Sequence, residues 1–143
     1  PYVMAVIDRI VRDAEELQGL GIGVVAISAN DVVTYPQDAP DKMAELAKTS
    51  GFNFPYLFDE SQAVAKAYEA ACTPDFFMFD AAHKLVYRGQ FDAARPGNDT
   101  PVTGADMRRA ADAVLAGQTP DADQIPSRGC NIKWIVGNEP EYF

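Results

Sequence analysis

Val3, Val6, Ile7, Ile10, Val11, Ala14 and Leu17 recur at three- and four-residue steps through residues 2–20, with Asp8, Arg9, Arg12, Asp13 and Glu16 on the other face. That spacing predicts an amphipathic helix closed near Gly19 and Gly21. The run Ile22 to Ser28 is short, apolar and β-branched, which predicts a strand covered on both faces. A polar loop, "NDVVTYPQDAP", leads to Asp38 and Asp41, spaced as a helix-capping pair. Met43, Leu46 and Ala47 then give a second helix its apolar face, and Gly51 stops it.

"FPYLFD" reads as a short strand or extended segment, and Asp59 with Gln62 as a second capping pair. The helix it opens is short, with Ala63, Val64, Ala67 and Tyr68 on one face. "FFMFD" and "KLVYRG" are strand runs joined by a turn, hence an antiparallel hairpin. The chain's one histidine, His83, falls in that turn and reads as a solvated residue. "AARPGNDTPVTGAD" is a loop. Thr103 and Asp106 form a third capping pair, followed by the stripe Met107, Ala110, Ala111, Val114 and Leu115 of a last helix. Residues 118–143 are proline-punctuated and irregular, yet "CNIKWIVGNEPEYF" is apolar enough to pack on the body.

The order is helix, strand, helix, helix, hairpin, helix, which makes one mixed α/β domain over residues 1–143. A strand–helix–strand unit calls for a strand ahead of the first helix. The chain starts at Pro1 with helical periodicity already running by Val3, so its beginning reads as cut inside an element.

Composition narrows the function classes. The 143 residues suffice for one domain with a core, at 48% apolar and 23% charged. Twelve basic against 21 acidic residues give a net charge of −9, which repels phosphate backbones and anionic lipid. Nucleic acid and membrane are therefore not expected partners, and no apolar run approaches the ~20 residues of a membrane helix. Two cysteines and one histidine exclude a disulfide framework and a His-rich or four-cysteine metal site, and an ordinary Ser-His-Asp triad is not expected because His83 reads as a solvated turn residue. No metal or cofactor is expected.

One stretch carries candidate chemistry. "CTPDFFMFD" sets Cys72, Thr73 and Pro74 directly before a strand run. A proline there belongs at the first residue or at an edge, since it cannot donate to a ladder. Such a place is also where a cis X–Pro bond is retained for its geometry, although trans is the default. Cys72 is either a small buried residue at a turn or a thiol facing a site.

The element order, "TPDFFMFD" leading into a hairpin, and the closing "GCNIKWIVGNEPEYF" resemble the thioredoxin-like fold, and within it the AhpC/TSA-related proteins often described as probable thiol–disulfide oxidoreductases. The resemblance implies a central mixed sheet flanked by helices. It makes Thr73-Pro74 the cis-proline loop that holds substrate. "PYVMAVIDRIVRDAEELQ" is similar to the helix after a CxxC-P motif, with Pro1 as that proline, so the first strand and the CxxC turn are expected upstream. Thiols at a helix N-terminus have lowered pKa values, which suits the placement. As written, the chain lacks the motif.

The resemblance further implies thiolate–disulfide exchange with protein dithiols or disulfides as partners, and a peroxiredoxin-like peroxidase acting on peroxide as a near alternative. A peroxidase calls for an arginine beside its thiolate, and the sequence nominates none. A non-catalytic thioredoxin-fold module is the alternative from a different class. Cys72 then reads as an auxiliary or resolving thiol, with Cys130 as its possible redox partner through a bridge; both as buried, unpaired thiols is the other reading. Asp75 and Asp80 read as turn or edge carboxylates, Trp134 and Tyr142 as tail anchors, and Lys133 as a solvated tail residue. Arg88, Arg95 and Arg128 are expected to pair with carboxylates on the acidic surface. The cytoplasm is the expected compartment.

Overall fold

A computed structural model describes residues 2–143; Pro1, and with it the expected match to the proline of a CxxC-P motif, lies outside the described residues. The periodic first segment forms helix α1 (Tyr2–Gly19), which buries Val6, Ile7, Asp13, Ala14 and Leu17. The Ile22 N–H returns to the Leu17 carbonyl and the Gly21 N–H to that of Gln18, with Gly21 at φ 94°. This six-to-one and five-to-two pair satisfies carbonyls the helix end would leave free.

Strand β1 (Ala26–Ser28) is shorter than the run that suggested it. A 3-10 turn (Pro36–Asp38) leads into helix α2 (Pro40–Ser50), and strand β2 (Tyr56–Phe58) follows. The two strands are parallel, with Ile27 beside Leu57. Ile27 is 39% and Leu57 50% exposed, as is half of Val25, so the strand expected to be covered on both faces has one face open. Alternation along the pleat sends Ala26 and Ser28 inward and Ile27 outward.

Helix α3 (Ala63–Ala67) precedes the two-residue strand β3 (Cys72–Thr73). Strands β4 (Phe76–Phe79) and β5 (Leu85–Gly89) make the expected antiparallel hairpin, with a bulge at Met78/Phe79 and exposed His83 in its turn. Helix α4 (Ala105–Leu115) packs with α1 on that hairpin: Leu17, Met78, Tyr87, Ala110 and Ala111 form the main core, and Ala111 has no exposed surface. The hydrogen-bonded strands fall into three pairs rather than one continuous ladder.

None of the three capping pairs forms as the sequence suggested. The N-cap of α2 is Ala39, and Asp38 instead accepts from the Asn30 side chain at 3.2 Å. Asp59 does meet a helix amide, that of Ala65 at 2.8 Å, but Gln62 turns into the interior. At α4 the cap position is Gly104, and the Asp106 and Met107 amides reach the Phe91 carbonyl, while the Asp106 side chain accepts from Gln90.

The irregular tail is bound along most of its course. The Gln124 side chain bridges the Arg88 amide and the Val86 carbonyl, and Ser127 Oγ donates to the Gly89 carbonyl. Strand β6 (Cys130–Asn131) then pairs antiparallel with β3. Beyond it Ile132 and Trp134 bury against Ala65 in a second cluster. Tyr142 caps this anchor by donating to the Ala70 carbonyl at 2.9 Å.

Gln62 fixes that last stretch. It is fully buried at φ 65°, and its Nε2 donates to the carbonyls of Ala29 and Lys133 at 2.7 and 3.0 Å. Its Oε1 accepts from the Ile135 amide and the Asn138 side chain at 3.0 and 2.8 Å. Every bonding position of the amide is used, so a polar group costs nothing unpaired in the core. Lys133, read as a solvated tail residue, is held by its backbone: its amide donates to Asn30 and its carbonyl also accepts from Asp31.

Candidate functional site

The Thr73–Pro74 peptide is cis. The β3–β6 ladder holds it: Thr73 stands opposite Cys130, and Thr73 Oγ1 donates to the Cys130 carbonyl at 3.4 Å. Gly129 packs on the same peptide, so close that a Cβ there would overlap the Thr73 carbonyl oxygen and stand 2.6 Å from its carbon. Only a residue without a side chain fits that approach. Thr73, Pro74 and Cys130, singled out in the sequence, are thus brought together, and the glycine that makes it feasible was not singled out.

Pro74 lines a cavity of about 150 Å³ together with Tyr2, Ala5 and Val6 from the first turns of α1. Phe76, stacked on Phe91 at 5.3 Å between centroids, supplies its apolar wall. The polar wall comes from the loop after β5, with Gln90, Asp92 and Arg95, and from Arg128 in the tail. Asp92 is 3% exposed and organises that loop: its oxygens accept the amides of Ala94, Thr103 and Gly104 at 3.0, 2.8 and 2.7 Å.

The expected pairing of arginines with surface carboxylates holds for Arg88, which reaches Asp75 at 3.8 Å, and among the described residues not for the other two. Arg95 is bound by neutral oxygens, the carbonyls of Asp92 and Ala94 and the side chain of Gln90, at 2.7, 2.8 and 2.5 Å. Folding back into its own loop keeps it from the surface carboxylates. The only sequence signal was an arginine inside a stretch dense in Pro, Gly, Asn and Asp.

Cys72 is half-buried and its thiol contacts the Pro74 carbonyl at 3.6 Å. Burial, reinforced by the Asp75 carboxylate and only partly opposed by the Arg88 and Arg95 guanidiniums, pushes its pKa up to about 11. The thiol is therefore protonated at neutral pH and a poor nucleophile. Cys72 and Cys130 are both free. The ladder sets Cys72 opposite Asn131 and Thr73 opposite Cys130, so the two cysteines occupy adjacent rungs and project to opposite faces. A bridge between them would require a one-residue slip of the ladder. No group of His, Cys, Asp and Glu among the described residues could hold a metal ion.

A helix start facing a cis-proline loop across a small cavity, on an α/β frame with a hairpin edge, defines a thioredoxin-like protein. The chain belongs to the AhpC/TSA family, whose model matches residues 1–88. Two solved structures are similar over almost the whole chain. A hypothetical protein from Sinorhizobium meliloti 1021 has a TM-score of 0.94 at 50% identity, covering 96% of this chain and 75% of that one. An uncharacterized conserved protein from Geobacillus kaustophilus has a TM-score of 0.92 at 50% identity, covering 94% and 71%. No curated protein matches.

Proposed function

We propose that this protein carries out thiol–disulfide exchange, with Thr73 and Pro74 holding the substrate chain. The reading rests on one observation: the first turns of α1 and Pro74 line the same cavity. A thiolate at that helix start would have its charge stabilised by the free amides and the dipole. The Cys72 thiol, pushed up to about 11, is a poor nucleophile for this step, and the family resemblance assigns that role to a CxxC pair at the start of α1.

In the reaction, the thiolate sulfur attacks one sulfur of the substrate disulfide, whose S–S bond breaks and releases the second sulfur as a thiolate. A second protein thiolate then attacks the mixed disulfide. The substrate is reduced by two electrons, the protein's dithiol becomes a disulfide, and a dithiol protein returns it to the reduced state. No helix among the described residues is long and apolar enough to cross a membrane.

An insulin-reduction assay beside a peroxide-consumption assay on the full-length protein tests the proposal. Insulin reduction supports exchange, whereas peroxide consumption alone points to a peroxidase. Failure in both leaves the non-catalytic module.

A further inference from the structure

Arg95 and Arg128 line the cavity beside Pro74, and neither reaches a carboxylate among the described residues. Both lie beyond residues 1–88, so the family match assigns them nothing. The chain holds 21 acidic residues against 12 basic ones, so an arginine without a carboxylate is an exception here. The aspartate nearest in sequence, Asp92, spends both oxygens on loop amides. Three neutral oxygens fix the Arg95 guanidinium in place but leave its charge uncancelled, and its buried Nε–H has no acceptor. Gln90, which orients Arg95, is itself 4% exposed and locked by its donation to Asp106 at 2.7 Å. A preorganised cation of this kind loses little side-chain freedom on meeting an anion.

We infer that the cavity is a carboxylate subsite, which holds the acidic end of a small thiol or disulfide while its sulfur lies toward Pro74 and the start of α1. The planar guanidinium matches a carboxylate in shape and donor geometry. Exposed Arg128 makes the first contact and Arg95 supplies the fixed charge. Phe76 and Phe91 offer the methylene stem an apolar wall. The sulfur placement rests on the exchange reading; the carboxylate binding does not.

The test separates the two. Binding is followed on the full-length protein by NMR of the arginine Nε–H signals during titration with 3-(methylthio)propionate, which cannot exchange with thiols. Its methyl ester and inorganic phosphate serve as comparisons. The expected result is a saturable shift of the Arg95 signal by the thioether acid, at least tenfold weaker binding of the ester, and weaker binding of phosphate. Arg95→Gln should weaken binding about tenfold and Arg128→Gln, at an exposed side chain, about fivefold without disturbing the fold. No shift, equal binding of the ester, tighter binding of phosphate, or undiminished binding by Arg128→Gln with Arg95→Gln folded would overturn the inference. Exchange activity is measured separately with dithiodipropionate against 2-hydroxyethyl disulfide. A lower KM for the acidic disulfide, lost in Arg128→Gln, supports the sulfur placement. Equal KM values overturn that placement, and no turnover of either disulfide overturns the exchange reading while the binding result stands.

Discussion

Gly129 lies on the carbonyl of Thr73, with no space between them for a side chain. Gly129→Ala is therefore expected to push the tail off the β3 rung or to shift the Thr73 carbonyl. The overlap is with backbone, which cannot rotate away, so the expected loss is about 2–3 kcal/mol. Urea unfolding of the variant checks it, and an unchanged midpoint would refute the close approach.

Gln62→Ala removes four hydrogen bonds at once and orphans the Ala29 carbonyl and the Ile135 amide, while the Lys133 carbonyl keeps the Asp31 amide. With each orphaned group costing about 1–3 kcal/mol, a loss of about 3–5 kcal/mol is expected. The loss should appear together with solvent exposure of Trp134, read by its fluorescence. A stable variant with the native emission would show that the tail is held elsewhere.

Cys72 should resist alkylation. With its pKa pushed up to about 11 from 9.0, its thiolate fraction at pH 8 is about a hundredfold below that of the unfolded chain. The alkylation rate should climb with pH until about 11. The linked stability change has a fixed sign: the folded protein holds the proton more tightly, so the contribution is full below pH 9 and is lost as pH rises through 11. Fast labelling of Cys72 at pH 8 in the native protein would contradict the burial.

Mild oxidation should leave the two cysteines unbridged, because they sit on adjacent rungs and face opposite sides of the β3–β6 ladder. Denaturing alkylation without reductant, read by peptide mapping, is expected to label both Cys72 and Cys130. A mass lacking both labels would mean that the ladder slips.

Glu69 ends α3 in the left-handed region, at φ 55°, in the position that glycine usually takes. Among the described residues its side chain takes part in no hydrogen bond; its amide donates to the Lys66 carbonyl at 3.0 Å and its carbonyl accepts from Arg88 at 2.6 Å. Glu69→Gly should thus raise stability by about 0.5–1 kcal/mol, since the steric cost of the left-handed residue disappears. Thermal unfolding would show it as a higher Tm.

Periodicity along α1 and α4 and the two hairpin runs were legible because each buries a regular stripe, and the family was legible in "TPDFFMFD", which lies inside the matched residues. Capping was not. Asp38, Gln62 and Asp106 had suitable spacing, but each bonds instead to a partner at least eight residues away, and spacing cannot rank a local amide against a more distant one. The exposed Ile27–Leu57 pair escaped notice because a β-branched run carries no alternation to mark an open face. Of the site, Thr73 and Pro74 were visible as a proline before a strand, whereas Gly129 and Arg95 act through contacts that fold back over long or irregular stretches. Nothing in their immediate neighbours announces those roles.

The route of the tail also sets a timetable. Thr73 is separated from its β6 partner by 57 residues, and Gln62 from Lys133 by 71. A ribosome adds roughly 5–20 residues per second, so the loop around Pro74 emerges several seconds before the strand that frames it. Through that interval Gln62 is a polar side chain with no partner for its Oε1, since Ile135 and Asn138 have yet to be made. Nascent chains halted before residue 129 should therefore be far more open to protease around residues 62–74 than chains released after residue 138.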